Sequence, residues 1–106
     1  MLPMVAQAAN ISDGANCRIY ADTPYYGNQG AVVGKVSRGG TGCAPGEVTG
    51  KLIHAKWGPD YVVSSFQQRM TTGRRWLSGG GSSGDVYFTK IYGVKGESVA
   101  SNSFTY

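Results

Sequence analysis

EVTGKLIHAKW, residues 47–57, alternates its side chains with a period of two. Val48, Gly50, Leu52, His54 and Lys56 fall on one face, and Thr49, Lys51, Ile53, Ala55 and Trp57 on the other. That spacing is the signature of a strand whose two faces meet different surroundings. Breakers bound it on both sides, Ala44-Pro45-Gly46 before and Gly58-Pro59 after. Glycine reaches positive φ at little cost and proline fixes φ, so such pairs mark turns. Working outward, the same kind of run recurs between breakers. Residues 16–20, 30–37 (Val32, Val33, Val36), 85–92 and 98–106 read as further strands. In 85–92, Val86, Phe88 and Tyr92 oppose Tyr87, Thr89 and Ile91. Ten valines and four isoleucines against three leucines agree with this, because β-branched side chains are stiff and suit a pleated surface. The expected fold is mainly β, a small single-domain barrel or sandwich.

Residues 59–72 read differently. Val62, Val63, Phe66 and Met70 fall on one helical stripe, with Pro59 and Asp60 at the start and Gly73 at the stop. One short amphipathic helix is predicted there, covering an open end of the barrel or sandwich. The competing reading is a strand, since Tyr61-Val62-Val63 is locally β-prone. The glycine clusters at 39–46 and 79–84 read as flexible hairpin loops. Neither carries the Gly-Lys-Ser/Thr ending of a phosphate loop.

A chain of 106 residues fits one domain. It is too short for a cofactor-sized α/β enzyme. Its 17 glycines show no triplet period, which excludes a collagen helix. Abundant aromatic and β-branched residues exclude wholesale disorder. Residues 1–8 carry the small-x-small pattern Ala6-Gln7-Ala8 after a short apolar stretch and are expected to be a signal-peptide remnant, leaving 9–106 as the domain. No apolar run approaches the ~20 residues of a membrane span.

Ten Lys and Arg against six Asp and Glu give a net charge of +4, which favours anionic partners. Cys17 and Cys43 have neither zinc spacing nor a Cys-x-x-Cys arrangement, so no metal is expected. An even count in a short, Gly-rich chain favours one disulfide. Two buried thiols in a reducing compartment are the alternative. No cofactor is expected.

His54 is the only histidine, and no Ser-His-Asp or Cys-His set can be argued from spacing. Its sharpest enzymatic use is a small nuclease site with Arg74 or Arg75 stabilising a transferring phosphate. Arg74, Arg75 and Trp76 combine forked cations with a stacking ring, which suits a ligand surface. Their plain alternative is the last turn of the 59–72 helix, with Trp76 in the core. Tyr25 and Tyr26 are further candidate contacts.

YADTPYYG, residues 20–27, matches Tyr-x-Asp-x-x-aromatic-x-Gly and resembles the opening hairpin of a βγ-crystallin Greek-key motif. The resemblance implies a folded hairpin shaped by its aromatic pair and Gly27, and points to small secreted inhibitors and toxins of that superfamily. No second copy and no acidic-x-x-Ser-Ser calcium loop is present, so a two-motif domain and calcium binding do not carry over. A strand–helix–strand barrel is also similar in architecture to the glycan-binding B-subunits of secreted toxins.

The first expectation is a secreted or periplasmic, non-enzymatic binding module: an inhibitor, adhesin or toxin-type binding subunit recognising an anionic protein or glycan surface. The ligand-binding candidates are Tyr25, Tyr26, Arg74, Arg75 and Trp76. The alternatives are an exported toxin nuclease using His54, a structural subunit of a virion, pilus or surface assembly, and a binder of single-stranded nucleic acid.

Overall fold

The period-two stretch becomes a central strand. In the computed structural model, which describes residues 8–56 and 59–106, the strands are β1 Ala9–Ser12, β2 Arg18–Ala21, β3 Tyr25–Tyr26, β4 Ala31–Gly39, β5 Gly46–Ala55, β6 Tyr61–Met70, β7 Gly73–Gly80, β8 Val86–Tyr92, β9 Ser98–Ala100 and β10 Phe104–Thr105. A short 3-10 turn, Asn28–Gly30, separates β3 from β4. Val48, Gly50 and Leu52 of β5 point inward as their spacing requires, while Trp57 lies outside the described residues. So do residues 1–7, and with them nearly all of the signal-peptide expectation.

Two antiparallel sheets enclose one core. In the first, β4 is flanked by β7 on one edge and by β2 and β3 in succession on the other, with β1 beyond β2. In the second, β5 lies between β6 and β8, and β9 and β10 share the far edge of β8. The inner faces contribute Ile19, Ala21, Val32, Val36 and Leu77 from one sheet and Val48, Leu52, Tyr87 and Ile91 from the other. Each large aliphatic or aromatic side chain so buried stabilises the fold by roughly 1.5–3 kcal/mol. Gly34 and Gly50 let the sheets interlock. A Cβ on Gly34 would strike Thr89 and Leu52, and one on Gly50 would strike Phe66 and Val36.

The helix expected at 59–72 is not formed; the segment is β6 and the turn after it. The cause is a β-bulge. Leu52 pairs with Ser64 but the next residue, Ile53, pairs with Val62, so Val63 is the extra residue. The bulge flips the parity of the strand, and Val63, Phe66 and Met70 all reach the core side. Inward residues spaced by three and then four imitate a helical stripe. The local preference of Tyr61-Val62-Val63 for extended backbone wins. Without that helix, the architectural similarity to toxin B-subunits loses its covering element.

The glycine clusters are also corrected. Gly79 and Gly80 belong to β7, and the chain passes from one sheet to the other at β4→β5 and β7→β8 instead of closing hairpins. The YADTPYYG stretch runs along one edge of β4, broken between β2 and β3, and its hairpin closes through Gly27, whose N–H donates to the Ala31 carbonyl at 2.8 Å.

One end of the sandwich is tied by a buried ionic hub and a covalent bond. Arg38, 2% exposed, donates from Nε to Asp13 Oδ2 at 2.7 Å. Its Nη1 lies within hydrogen-bonding distance of the carbonyls of Ala44, Met70 and Thr71, which fixes the β6–β7 turn. Asp13 Oδ1 accepts the Val94 N–H at 3.1 Å. Cys17 and Cys43 form a disulfide with Cα atoms 4.8 Å apart, joining the β1–β2 turn to the β4–β5 connection.

Candidate functional site

The outer face of the first sheet is ordered by register. Cross-strand partners share a face. Tyr20, Ser37 and Arg74 therefore form one row. Lys35 and Trp76 form the next, with Asp22 beside Lys35 in an ion pair at 3.2 Å. Tyr25, Val33 and Ser78 form the third. Rows on one face repeat every ~7 Å along a strand. Trp76 is 52% exposed and Tyr25 46%, so both rings present a face to solvent. A shallow depression beside them is lined by Tyr20, Lys35, Ser37, Thr72, Gly73 and Arg74.

Three of the five expected contact residues, Tyr25, Arg74 and Trp76, are thus gathered on one face, and Trp76 is not in the core. The other two are not. Arg75 sits on the opposite side of β7, its guanidinium 4.5 Å from the centroid of Phe66 and hydrogen-bonded to Gln68. Tyr26 stands opposite Val32, on the core side, and meets Phe104 and Tyr106 edge-on at 4.9 and 5.0 Å. The period-two alternation of β4 and β7 decides both placements. Tyr20, Lys35 and Ser37 belong to the face and were not singled out by the sequence. Their signal was the register of β2 and β7 against β4, which only the fold supplies.

His54 lies at the other end of the sandwich. Its Nε2 is 3.0 Å from Asp85 Oδ2, and its ring stacks on Tyr87 at 4.8 Å. Lys56, Gly84 and Val86 line a cavity of about 570 Å³ there. The expected pairing of His54 with Arg74 or Arg75 is not made. Arg75 rests on Phe66, the cross-strand partner of Gly50, four residues and about 13 Å along β5 from His54. Asp85 is the partner that spacing did not reveal, because it reaches His54 through the pairing of β5 with β8.

Two carboxyls titrate abnormally, both at the tied end. Burial acts to raise Asp13, but hydrogen bonds with Glu97 and Arg38 and the charge of Arg38 outweigh it and hold the group below its ordinary value. Hydrogen bonding to Asp13, and then burial, raise Glu97. Among the described residues no cluster of His, Cys, Asp and Glu has the makings of a metal site, and no helix is long and apolar enough to cross a membrane.

Fold and site together define a disulfide-bonded, two-sheet β domain with an aromatic-bearing outer face. Comparison with protein-family models, with curated proteins and with solved structures finds no match.

Proposed function

We propose that this chain is an exported, non-enzymatic binding module that recognises an anionic protein or glycan surface through the outer face of β2, β3, β4 and β7. The observation that carries the reading is the convergence of Tyr25 and Trp76, both about half exposed, with Arg74 and Lys35. Trp, Tyr and Arg dominate the energetics of interfaces. The disulfide suits an oxidising compartment, which is the support for export.

The test is the double variant Arg74→Ala, Trp76→Ala, screened with the unaltered protein against immobilised acidic proteins and sulfated or carboxylated glycans. Binding should be lost while the melting temperature moves by no more than about 4 °C, as for surface changes near 0.5 kcal/mol. Binding that survives the double variant removes the face from consideration. A second reading rests on the His54–Asp85 contact, since a carboxylate-oriented imidazole is the usual form of a general base. RNA cleavage that disappears in His54→Ala would support it. Cleavage equal in the two proteins, or absent from both, would remove it.

A further inference from the structure

We infer that the free edge of β7 docks an extended acidic segment of a partner protein, which joins the sheet as an added strand beside Arg74, Trp76 and Ser78. This rests on the preceding reading of the outer face and names the kind of partner it takes.

The direction of the peptide groups comes first. The Lys35 carbonyl accepts from Asp22 N–H at 2.9 Å, and the Ala31 carbonyl from Gly27 N–H at 2.8 Å. Odd-numbered residues of β4 therefore turn their peptide groups toward β2 and β3, and even-numbered ones toward β7. Val32, Gly34, Val36 and Arg38 face Gly79, Leu77, Arg75 and Gly73 across that pair. The odd-numbered residues of β7 thus spend their N–H and C=O on β4. Arg74, Trp76 and Ser78 present theirs to the outside, and their side chains are those of the candidate binding face. Among the described residues β7 pairs with β4 alone.

The edge is guarded by charge alone. Sheet edges are ordinarily protected by a bulge, a proline, charged side chains or brevity. β6, the edge of the other sheet, has the bulge at Val63. β7 holds one register over eight residue pairs and contains no proline and no lysine. Its chemistry is one-sided: β7 carries Arg74 and Arg75 and no acidic residue. A second copy of the chain on this edge would crowd like charges along one seam, whereas an acidic strand neutralises them.

The register then specifies the occupant. One residue of the added strand stands opposite Arg74, the next but one opposite Trp76, and the next but one again opposite Ser78. A carboxylate, a large apolar side chain and a small one fit those places. Main-chain bonds supply affinity and the alternate side chains supply specificity.

The probe is a blocked seven-residue peptide carrying serine, valine and two glutamates at alternate positions, with threonine between. Three companions go with it: one N-methylated at the residues facing β7, one with lysine for glutamate, and heparin as a non-peptide polyanion. Binding is read by calorimetry and by hydrogen exchange at the amides of Arg74, Trp76 and Ser78. The acidic peptide should protect those amides, and N-methylation should weaken it at least about tenfold, the equivalent of one or two main-chain hydrogen bonds. Arg74→Glu should abolish binding of the acidic peptide and create binding of the lysine peptide, with far-UV circular dichroism unchanged. Equal affinity for the methylated peptide overturns strand addition. Heparin binding that needs Trp76, with all three peptides silent, overturns the inference and leaves the binding face standing. Silence of every probe and of the wider panel overturns both.

Discussion

Replacing Asp13 with Asn should be among the most damaging single changes available to this domain. The side chains of Asp13 and Arg38 are both fully buried, and the Oδ2–Nε contact is 2.7 Å. The Asn amide keeps one oxygen, so it can serve Val94 N–H or Arg38 Nε but not both, and it carries no charge. Arg38 is then a cation without a counter-charge inside the protein. Removing one partner of a buried pair costs about 3–5 kcal/mol, because the remaining charge is desolvated and uncompensated. For a domain of this size each kcal/mol lowers the melting point by about 4–8 °C, so the expected fall is at least ~12 °C. Thermal and urea unfolding followed by circular dichroism, with the disulfide intact, measure it. Asp13→Asn combined with Arg38→Met should cost less than the two singles together by more than about 1 kcal/mol, since the second change removes the stranded charge. If Asp13→Asn costs under ~1 kcal/mol, or the two changes add, then the carbonyls of Ala44, Met70 and Thr71 suffice for Arg38 and the ion pair does not organise this end of the fold.

Reduction of Cys17–Cys43, which spans 26 residues, should lower stability by about 3.5 kcal/mol through the entropy returned to the unfolded chain, and a urea midpoint that stays put on full reduction would contradict this. Gly50→Ala drives a methyl into Phe66 and Val36 and should cost about 1–3 kcal/mol; an unchanged melting point would mean that the sheets part easily at that place. Glu97 has its folded pKa raised above 4.5, so its contribution is present below that pH and is lost as pH rises through the folded value, whereas Asp13, lowered from 3.8, contributes above that pH and loses its share on acidification. Glu97→Gln keeps a donor toward Asp13 and removes the titration, so as pH rises above 4.5 its urea midpoint should fall less than that of the unaltered protein, and parallel declines would count against the carboxyl pair.

The strands at the centre of each sheet were legible because their surroundings are two-sided. β4, β5 and β8 alternate buried and less buried residues almost without break, and the valines and alternate polar residues record it. The edges were not legible. β6 carries a bulge that rewrites period two as a helical spacing, and β7 was hidden behind the helix assigned to its neighbour, so Arg74 to Trp76 passed for a helix end. The side-chain groupings divide in the same way. Tyr25, Arg74 and Trp76 stand out by composition, as large rings and forked cations among glycines, and strand register places them on one face. Asp85 beside His54 and Asp13 beside Arg38 are made by strand pairing and turn packing across 31 and 25 residues, and a linear pattern holds no trace of either.

The hub and the docking edge are mechanically one device. Arg38 belongs to β4, the strand that pairs along the whole of β7, and its Nη1 reaches the carbonyls of Met70 and Thr71 just before β7 begins. The same guanidinium therefore sets the height and direction at which Arg74 leaves the turn. Among the described residues, the far end of β7 is held by hydrogen bonds and not by a buried charge. It runs into Gly79, Gly80 and Gly81, where Gly81 N–H donates to the Gly30 carbonyl at 2.8 Å. An edge that offers its cation at the Arg74 end should bind an acidic strand from that end first. The acidic residue would be captured at Arg74, and the strand would then pair past Trp76 toward Ser78. Weakening the hub by Asp13→Asn should for this reason impair docking beyond what the loss of global stability accounts for. Hydrogen exchange, under conditions where the variant remains folded, would show the Arg75 and Leu77 amides, which are bonded to β4, opening without those of β5. If the β7 amides keep their native exchange rates in that variant, the hub braces the core alone and the edge is presented by its pairing with β4.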